Sequence, residues 1–107
     1  MTIDSEHSVS AVGRDDTAVV LAGDYLNKIS GEQIERECRQ RLVQGCKRLV
    51  LDFSETEFVN SIGVSILLGV IDSASAAGAK VVFTDVNDHT VELFEMLGVS
   101  NHVTFQA

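Results

Sequence analysis

Short runs of β-branched and aliphatic residues alternate along this chain with longer stretches in which apolar residues recur every three or four positions. The short runs predict strands at 9–12, 17–21, 47–53, 80–84 and 102–105. The first two flank a Gly-Arg-Asp-Asp turn and predict a hairpin at the start of the domain. The residues from Leu49 to Leu51 are all apolar, and such an unbroken apolar run is typical of a central strand that is covered on both faces.

The longer periodic stretches predict three helices. The first covers about 31–44, with Ser30 as N-cap and Gln33 completing a capping box. The second covers 61–77, and the third follows Asn87-Asp88 and ends at Gly98. The order β-β-α-β-α-β-α-β indicates one α/β domain over 1–107, with a mixed, mainly parallel sheet packed by helices and a loose N-terminus at 1–6.

Charge and length narrow the possible partners. The 107 residues include 16 acidic and 8 basic side chains, a net charge of −8, with 45% hydrophobic residues. This acidity argues against nucleic acid and anionic membrane surfaces, since both attract basic proteins. The longest apolar run, Ile62 to Ile71, is about half of a membrane span, and no secretory signal precedes it. We therefore expect a cytoplasmic protein without membrane insertion.

The residues that usually carry catalysis are sparse. The three histidines have no ligand-like spacing, and neither a phosphate-binding loop nor a Gly-x-Ser-x-Gly motif occurs. Cys38 and Cys46 would lie ~12 Å apart on one helix, beyond the ~7 Å limit for a disulfide. Reduced thiols in the core are expected, which again favours the cytoplasm. We expect no enzyme, no metal and no cofactor.

The most informative position is the junction Asn60-Ser61, where a strand end runs straight into the second helix. Both residue types suit an N-cap, because a side-chain oxygen can accept a hydrogen bond from a free amide. On one interpretation Ser61 only caps the helix. On the other, Ser61 is exposed at the positive end of the helix dipole, where a phosphoryl group would be favourably placed.

The second helix also carries more apolar surface than one buried face requires. Val64, Leu67, Leu68 and Ile71 form the expected core stripe, and Ile62, Ile66 and Val70 form another. A row of small residues four apart separates the two stripes: Ser65, Gly69, Ser73 and Ala77. Either a neighbouring helix covers the second stripe, or it is part of a protein-binding surface beside Ser61.

At these residues the sequence resembles the STAS domain of bacterial anti-sigma factor antagonists. The family pattern of a strand ending in Asp-Ser, followed by Gly and an aliphatic helix, is similar to Phe58–Val64. The early Leu21–Asp24 turn, the strand Gly78–Val82 and the helix Val91–Gly98 match the remaining family motifs in the same order. The resemblance spans roughly residues 8–105, and it departs from the family at Asn60, where an aspartate is usual.

The resemblance implies a protein that works by binding. Its partner would be an anti-sigma factor that is also a serine kinase, and phosphorylation of Ser61 would break the complex. The partner-binding residues would be Asp24, Asn60, Ile62, Gly63, Ser65 and Ile66, with Gly63 letting the partner approach the helix. The alternative is a non-switching STAS scaffold, sensor or transport-system subunit, including a self-associating one, in which Ser61 only caps.

Overall fold

The computed structural model describes residues 16–106 of the chain. Its strands are β1 (Thr17–Leu21), β2 (Tyr25–Leu26), β3 (Arg48–Asp52), β4 (Phe58–Val59), β5 (Lys80–Thr84) and β6 (Thr104–Gln106). Its helices are α1 (Lys28–Val43), α2 (Ser61–Ala76) and α3 (Asp88–Met96), followed by a 3₁₀ turn at Val99–Asn101. The predicted strand at 9–12, and with it the hairpin, lies outside the described residues.

Four strands form the main sheet in the order β1-β3-β5-β6, and every described pairing is parallel. The register places Val20 beside Leu51 and Leu51 beside Phe83, so that one row of side chains points into the core. All three are buried to 0% exposure. The predicted α/β class and the mainly parallel sheet are confirmed.

Two short strands lie outside the main sheet and were not predicted as a pair. Tyr25 pairs with Phe58 and Leu26 with Val59, which forms a parallel two-stranded ribbon. Each ribbon strand leads directly into a helix, β2 into α1 and β4 into α2. The ribbon therefore positions the first turns of both helices.

Helices α1 and α2 pack against each other and onto the sheet, and α3 is anchored by an aromatic cluster. The ring of Phe94 on α3 lies 5.6 Å from that of Phe53 and 5.3 Å from that of Phe83, measured between centroids. All three rings are essentially buried. Burial of three aromatic side chains, about 150–250 Å² each, fixes α3 against the carboxyl end of β3 and β5.

Two predicted boundaries are corrected. Helix α1 begins at Lys28 and its N-cap is Asn27, so the prediction that Ser30 is the N-cap is wrong. Ser30 instead completes the capping box: its amide donates to Asn27 Oδ1 at 2.9 Å, and its hydroxyl accepts from the Asn27 amide at 2.9 Å. The terminal strand begins at Thr104 because a 3₁₀ turn occupies the residues before His102.

Candidate functional site

The three helices all begin at the carboxyl edge of the parallel sheet, and an asparagine caps each of them. Asn27, Asn60 and Asn87 have extended backbone, and each side-chain oxygen accepts from the amide three residues on. The distance is 2.8 Å from the Gly63 amide to Asn60 Oδ1 and 2.8 Å from the Thr90 amide to Asn87 Oδ1. The caps are neutral, and the first turns of α1 and α2 contain no acidic residue, so no carboxylate there offsets the positive potential of these two helix ends, whereas α3 has Asp88 in its first turn.

Ser61 is the first residue of α2 and is exposed to solvent. The α2 cap is the Asn60 side chain, so the interpretation that Ser61 serves as the cap is wrong. The Ser61 carbonyl accepts a hydrogen bond from the exposed Ser65 hydroxyl at 3.0 Å, which is the ordinary back-bond of a helical serine. The Ser61 hydroxyl therefore lies at an exposed helix start without a capping task.

Gly63 is buried, and the packing of the chain against itself leaves no room for a side chain at this position. A Cβ atom at this position would lie 2.8 Å from Leu26 Cγ, 2.8 Å from the Leu26 carbonyl oxygen and 2.9 Å from its carbon. Such contacts are too short for any side chain, and two of the three atoms belong to backbone. The reason predicted for Gly63, close approach of a partner, is therefore corrected: the glycine lets α2 pack on β2.

The second apolar stripe of α2 is divided between the core and the surface. Val70 is buried at 1% exposure and Ile66 is half-buried, whereas Ile62 is 53% exposed. Ile66 lies against α1, since its Cδ1 would be 3.1 Å from a Cβ built on Gly31. A neighbouring helix thus covers Ile66, and of this stripe only Ile62 remains as an exposed apolar contact.

Ile62 belongs to a larger exposed apolar surface, which we call the apical patch and define as Tyr25, Ile29, Phe58 and Ile62. Their exposed fractions are 45%, 70%, 64% and 53%. Tyr25 and Phe58 are register partners in the ribbon, with an edge-to-face arrangement and centroids 6.1 Å apart. Ile29 and Ile62 occupy the first turns of α1 and α2, which the ribbon strands lead into.

Sequence reasoning identified Ile62 but missed the other three members of the apical patch. The available signal was an aromatic residue at the first position of each short ribbon strand, Tyr25 before Leu26 and Phe58 before Val59. A two-residue strand is too short to show the alternation that distinguishes an exposed from a buried position. Four exposed, large apolar side chains thus lie near the starts of α1 and α2, and exposed apolar patches of this kind are typical of interaction sites.

Backbone and side-chain hydrogen bonds hold the loops around the patch together. The Asp24 carbonyl accepts from the amides of Glu57 at 2.9 Å and Phe58 at 3.2 Å, and the Asp24 side chain is exposed. The buried Thr56 hydroxyl donates to the Gly23 carbonyl. These contacts tie the loop before β4 to the loop before β2, so that the surface is formed in the absence of a partner.

A groove of about 420 Å³ runs between the ribbon and the first half of α3. Its walls include Tyr25, Phe58 and Leu93, with the polar side chains of Glu57 and His89 beside them. Asn87 connects the two walls, since its Nδ2 donates to the Thr56 carbonyl at 3.2 Å. The groove therefore adjoins the apical patch and shares two of its aromatic residues.

The remaining chemistry lies away from this edge. Cys38 is on α1 and Cys46 follows the helix, so the two are not on one helix, but both are free and buried as expected. Burial, the largest cause, and the nearby Glu37 raise the pKa of the Cys38 thiol to about 12. Over residues 16–106 no cluster of His, Cys, Asp or Glu has a metal-ligating arrangement. None of the three helices in that range is long and apolar enough for a bilayer crossing.

Comparisons with known proteins agree with this architecture. The family model of the STAS domain matches residues 8–107. The proposed anti-sigma factor antagonist BtrV of Bordetella bronchiseptica is 27% identical over 73 residues, which are 68% of this chain and 63% of BtrV. The match therefore spans less than two thirds of that relative.

Two solved structures have the same fold at low sequence identity. The unphosphorylated anti-sigma factor antagonist SpoIIAA superposes with a TM-score of 0.69 at 18% identity, covering 90% of this chain and 83% of SpoIIAA. The STAS domain of a SulP transporter from Vibrio cholerae superposes with a TM-score of 0.74 at 20% identity, covering 96% and 81%.

Proposed function

The chain belongs to the STAS domain family, and from that premise we propose that it is an anti-sigma factor antagonist switched by phosphorylation of Ser61. The unmodified protein binds an anti-sigma factor that is also a serine kinase, and the phosphorylated protein does not. The apical patch, together with Asp24, Asn60 and Ser65 around it, forms the binding surface. The observation that carries the proposal is the exposed Ser61 hydroxyl beside exposed Ile62 at a helix start.

The placement of Ser61 supports its role as acceptor. A kinase needs access to the hydroxyl, and Ser61 is exposed while Asn60 supplies the cap that would otherwise engage a serine. The amides of the first turn and the helix dipole favour an added phosphate. Phosphorylation therefore leaves the fold of α2 in place and changes only its surface.

The apical patch explains how one phosphate can prevent binding. Apolar association desolvates the patch, which is favourable while its neighbour Ser61 is neutral. A phosphate adds about −1.5 to −2 charges, and its burial in an apolar interface costs several kcal/mol unless cations pair with it. The chain already has a net charge of −8, so one phosphate changes its total charge only a little. The effect of the phosphate on binding is therefore a local effect at the start of α2.

Asn60 alters the electrostatics of the switch without removing the cap. The family aspartate would place a carboxylate next to the phosphoacceptor, whereas Asn60 Oδ1 makes the same bond to the Gly63 amide without a charge. The phosphorylated serine then has no neighbouring capping carboxylate to repel it. We therefore expect the start of α2 to remain folded when Ser61 is phosphorylated.

Intact-mass analysis tests the proposal directly. The chain is incubated with ATP and candidate kinases, which are ATPases of the histidine-kinase-like type from the same organism, and is compared with Ser61→Ala and Ser65→Ala. We expect one added phosphate on the wild type and on Ser65→Ala, and none on Ser61→Ala. Modification of Ser61→Ala to the same extent as the wild type contradicts the assignment. Unmodified wild type with every such kinase favours the alternative, a non-switching STAS scaffold or transport-system subunit.

A further inference from the structure

The charges of this chain are separated along the direction of the strands. None of its eight Lys and Arg residues lies between 49 and 79, and none follows Lys80. The carboxyl ends of β1, β3 and β5 are followed instead by exposed acidic residues: Asp24, Glu55, Glu57, Asp85 and Asp88. Lys28, the one cation at the start of α1, pairs with Glu32 at 3.5 Å.

The cations of the sheet lie at its opposite, amino end. Arg48 and Lys80 begin β3 and β5 and are register partners, and the Lys80 amide donates to the Lys47 carbonyl at 2.9 Å. The loop surface of the carboxyl edge is therefore acidic, although the helix starts within it are themselves positive, and the cations of the sheet lie at the far end. A partner that docks at this edge is complementary when it is basic.

The groove between the ribbon and α3 places apolar and acidic groups together at that edge. Tyr25 and Phe58 supply aromatic surface, Leu93 supplies an aliphatic wall, and the acidic residue Glu57 lines the same groove. Aromatic faces with a carboxylate suit a long cationic side chain, since the rings contact its alkyl stem or guanidinium and the carboxylate pairs with its charge. The groove of about 420 Å³ is large enough for such a side chain.

We propose that this groove receives a lysine or arginine side chain from an apolar segment of the partner protein, with Glu57 as its ion-pair acceptor. This inference rests on the proposed function, because it treats the groove as an extension of the apical patch. It assigns two tasks to one surface. The apical patch around Ser61 contributes apolar contact and carries the switch, whereas the groove selects partners by charge.

A peptide titration tests the groove without requiring the partner. Backbone amide shifts of the full chain are followed by NMR while a capped Leu-Arg-Leu peptide is added at millimolar concentration. The matched probe is Leu-citrulline-Leu, which has nearly the same shape without the charge. We expect shifts at Tyr25, Phe58 and His89, with binding of the arginine peptide about fivefold or more tighter than that of the citrulline peptide. Glu57→Gln should remove that preference.

Equal binding of the two peptides, or a preference for arginine that persists in Glu57→Gln, overturns the inference. Affinity for the kinase supplies a second readout, with Glu57→Lys compared to Glu95→Lys, an equal charge change on the exposed surface of α3. We expect at least a tenfold loss for Glu57→Lys and less than a twofold change for Glu95→Lys. Equal losses of affinity in the two variants overturn the inference about the groove. Phosphorylation of Ser61 would in that case still support the proposed function. Absence of Ser61 phosphorylation together with an arginine preference that depends on Glu57 rejects the switch and retains the groove.

Discussion

Substitution of Gly63 by alanine is the most demanding test of how the site is built. The added Cβ would lie 2.8 Å from Leu26 Cγ and from the Leu26 carbonyl oxygen. That oxygen accepts a hydrogen bond from the Asn60 amide at 2.9 Å, so it cannot move without disturbing the start of α2. Overpacking of this kind costs up to about 3 kcal/mol, and the helical preference of alanine over glycine returns about 1 kcal/mol.

The net loss expected for Gly63→Ala is therefore about 2 kcal/mol, out of a typical total stability of about 5–15 kcal/mol. For a domain of this size the loss corresponds to a Tm about 8–16 °C lower. Urea unfolding and thermal unfolding, both followed by circular dichroism, measure the change. The matched control is Gly69→Ala on the same helix, where the nearest atom to the new Cβ is Glu35 Oε2 at an ordinary 3.7 Å.

We expect Gly69→Ala to be unchanged or stabilised by about 0.5–1 kcal/mol, because it improves helix propensity without a clash. A Gly63→Ala variant as stable as Gly69→Ala would refute the packing of α2 on β2 as described. Equal destabilisation of both variants would also refute it, since the effect would then not depend on the Leu26 contact.

Three further predictions concern the caps and the buried thiol. Asn60→Ala should lower the free energy of unfolding by about 1 kcal/mol, whereas Asn60→Asp should leave it unchanged or raise it by about 0.3–1 kcal/mol. Equal stability of the two variants in urea unfolding would contradict the capping role. Asn87→Ala should lose about 1–2 kcal/mol, because it removes both the α3 cap and the bond to the Thr56 carbonyl, and an unchanged unfolding midpoint would count against that double role. Burial raises the pKa of Cys38 from 9.0 to about 12, so the native thiol keeps a proton that the unfolded chain releases, and the free energy of unfolding should fall as pH rises from about 9 towards 12. The fall attributable to this group, at most about 1.4 kcal/mol per pH unit, should be absent in Cys38→Ala, and parallel pH profiles for the two proteins would exclude it.

The predictable parts of the fold are those that depend on local chemistry. Helix α2 begins at Ser61 as predicted, because a strand end runs through Asn60, a residue type that suits an N-cap, straight into an aliphatic helix. Helix α1 begins earlier than predicted because two capping patterns compete there. Asn27 is the N-cap that forms. The Ser30 hydroxyl supports it by donating a hydrogen bond to the Tyr25 carbonyl at 2.7 Å, which connects the cap to the ribbon. The Tyr25 backbone is in turn held by its pairing with Phe58, which is distant in the sequence.

The unpredicted parts of the candidate site depend on which elements meet in space. The second apolar stripe of α2 is visible in the sequence, but the coverage of Ile66 by α1 depends on the close approach at Gly31. Tyr25 and Phe58 are more than 30 residues apart and form one surface only through the ribbon pairing. Gly63 illustrates the same limit, because a small residue at a helix start is equally consistent with a partner or with Leu26 as its neighbour.

The affinity of the unmodified and phosphorylated chain for the kinase, measured by calorimetry with an ATP analogue that cannot be hydrolysed, tests the switch most directly. Ser61→Ala and Ser61→Asp are measured alongside as neutral and charged mimics. We predict that the wild type and Ser61→Ala bind with similar affinity, whereas the phosphorylated chain and Ser61→Asp bind at least tenfold more weakly, since a charge beside the apical patch resists desolvation. Equal affinity of the unmodified and phosphorylated chains would contradict the proposed switch.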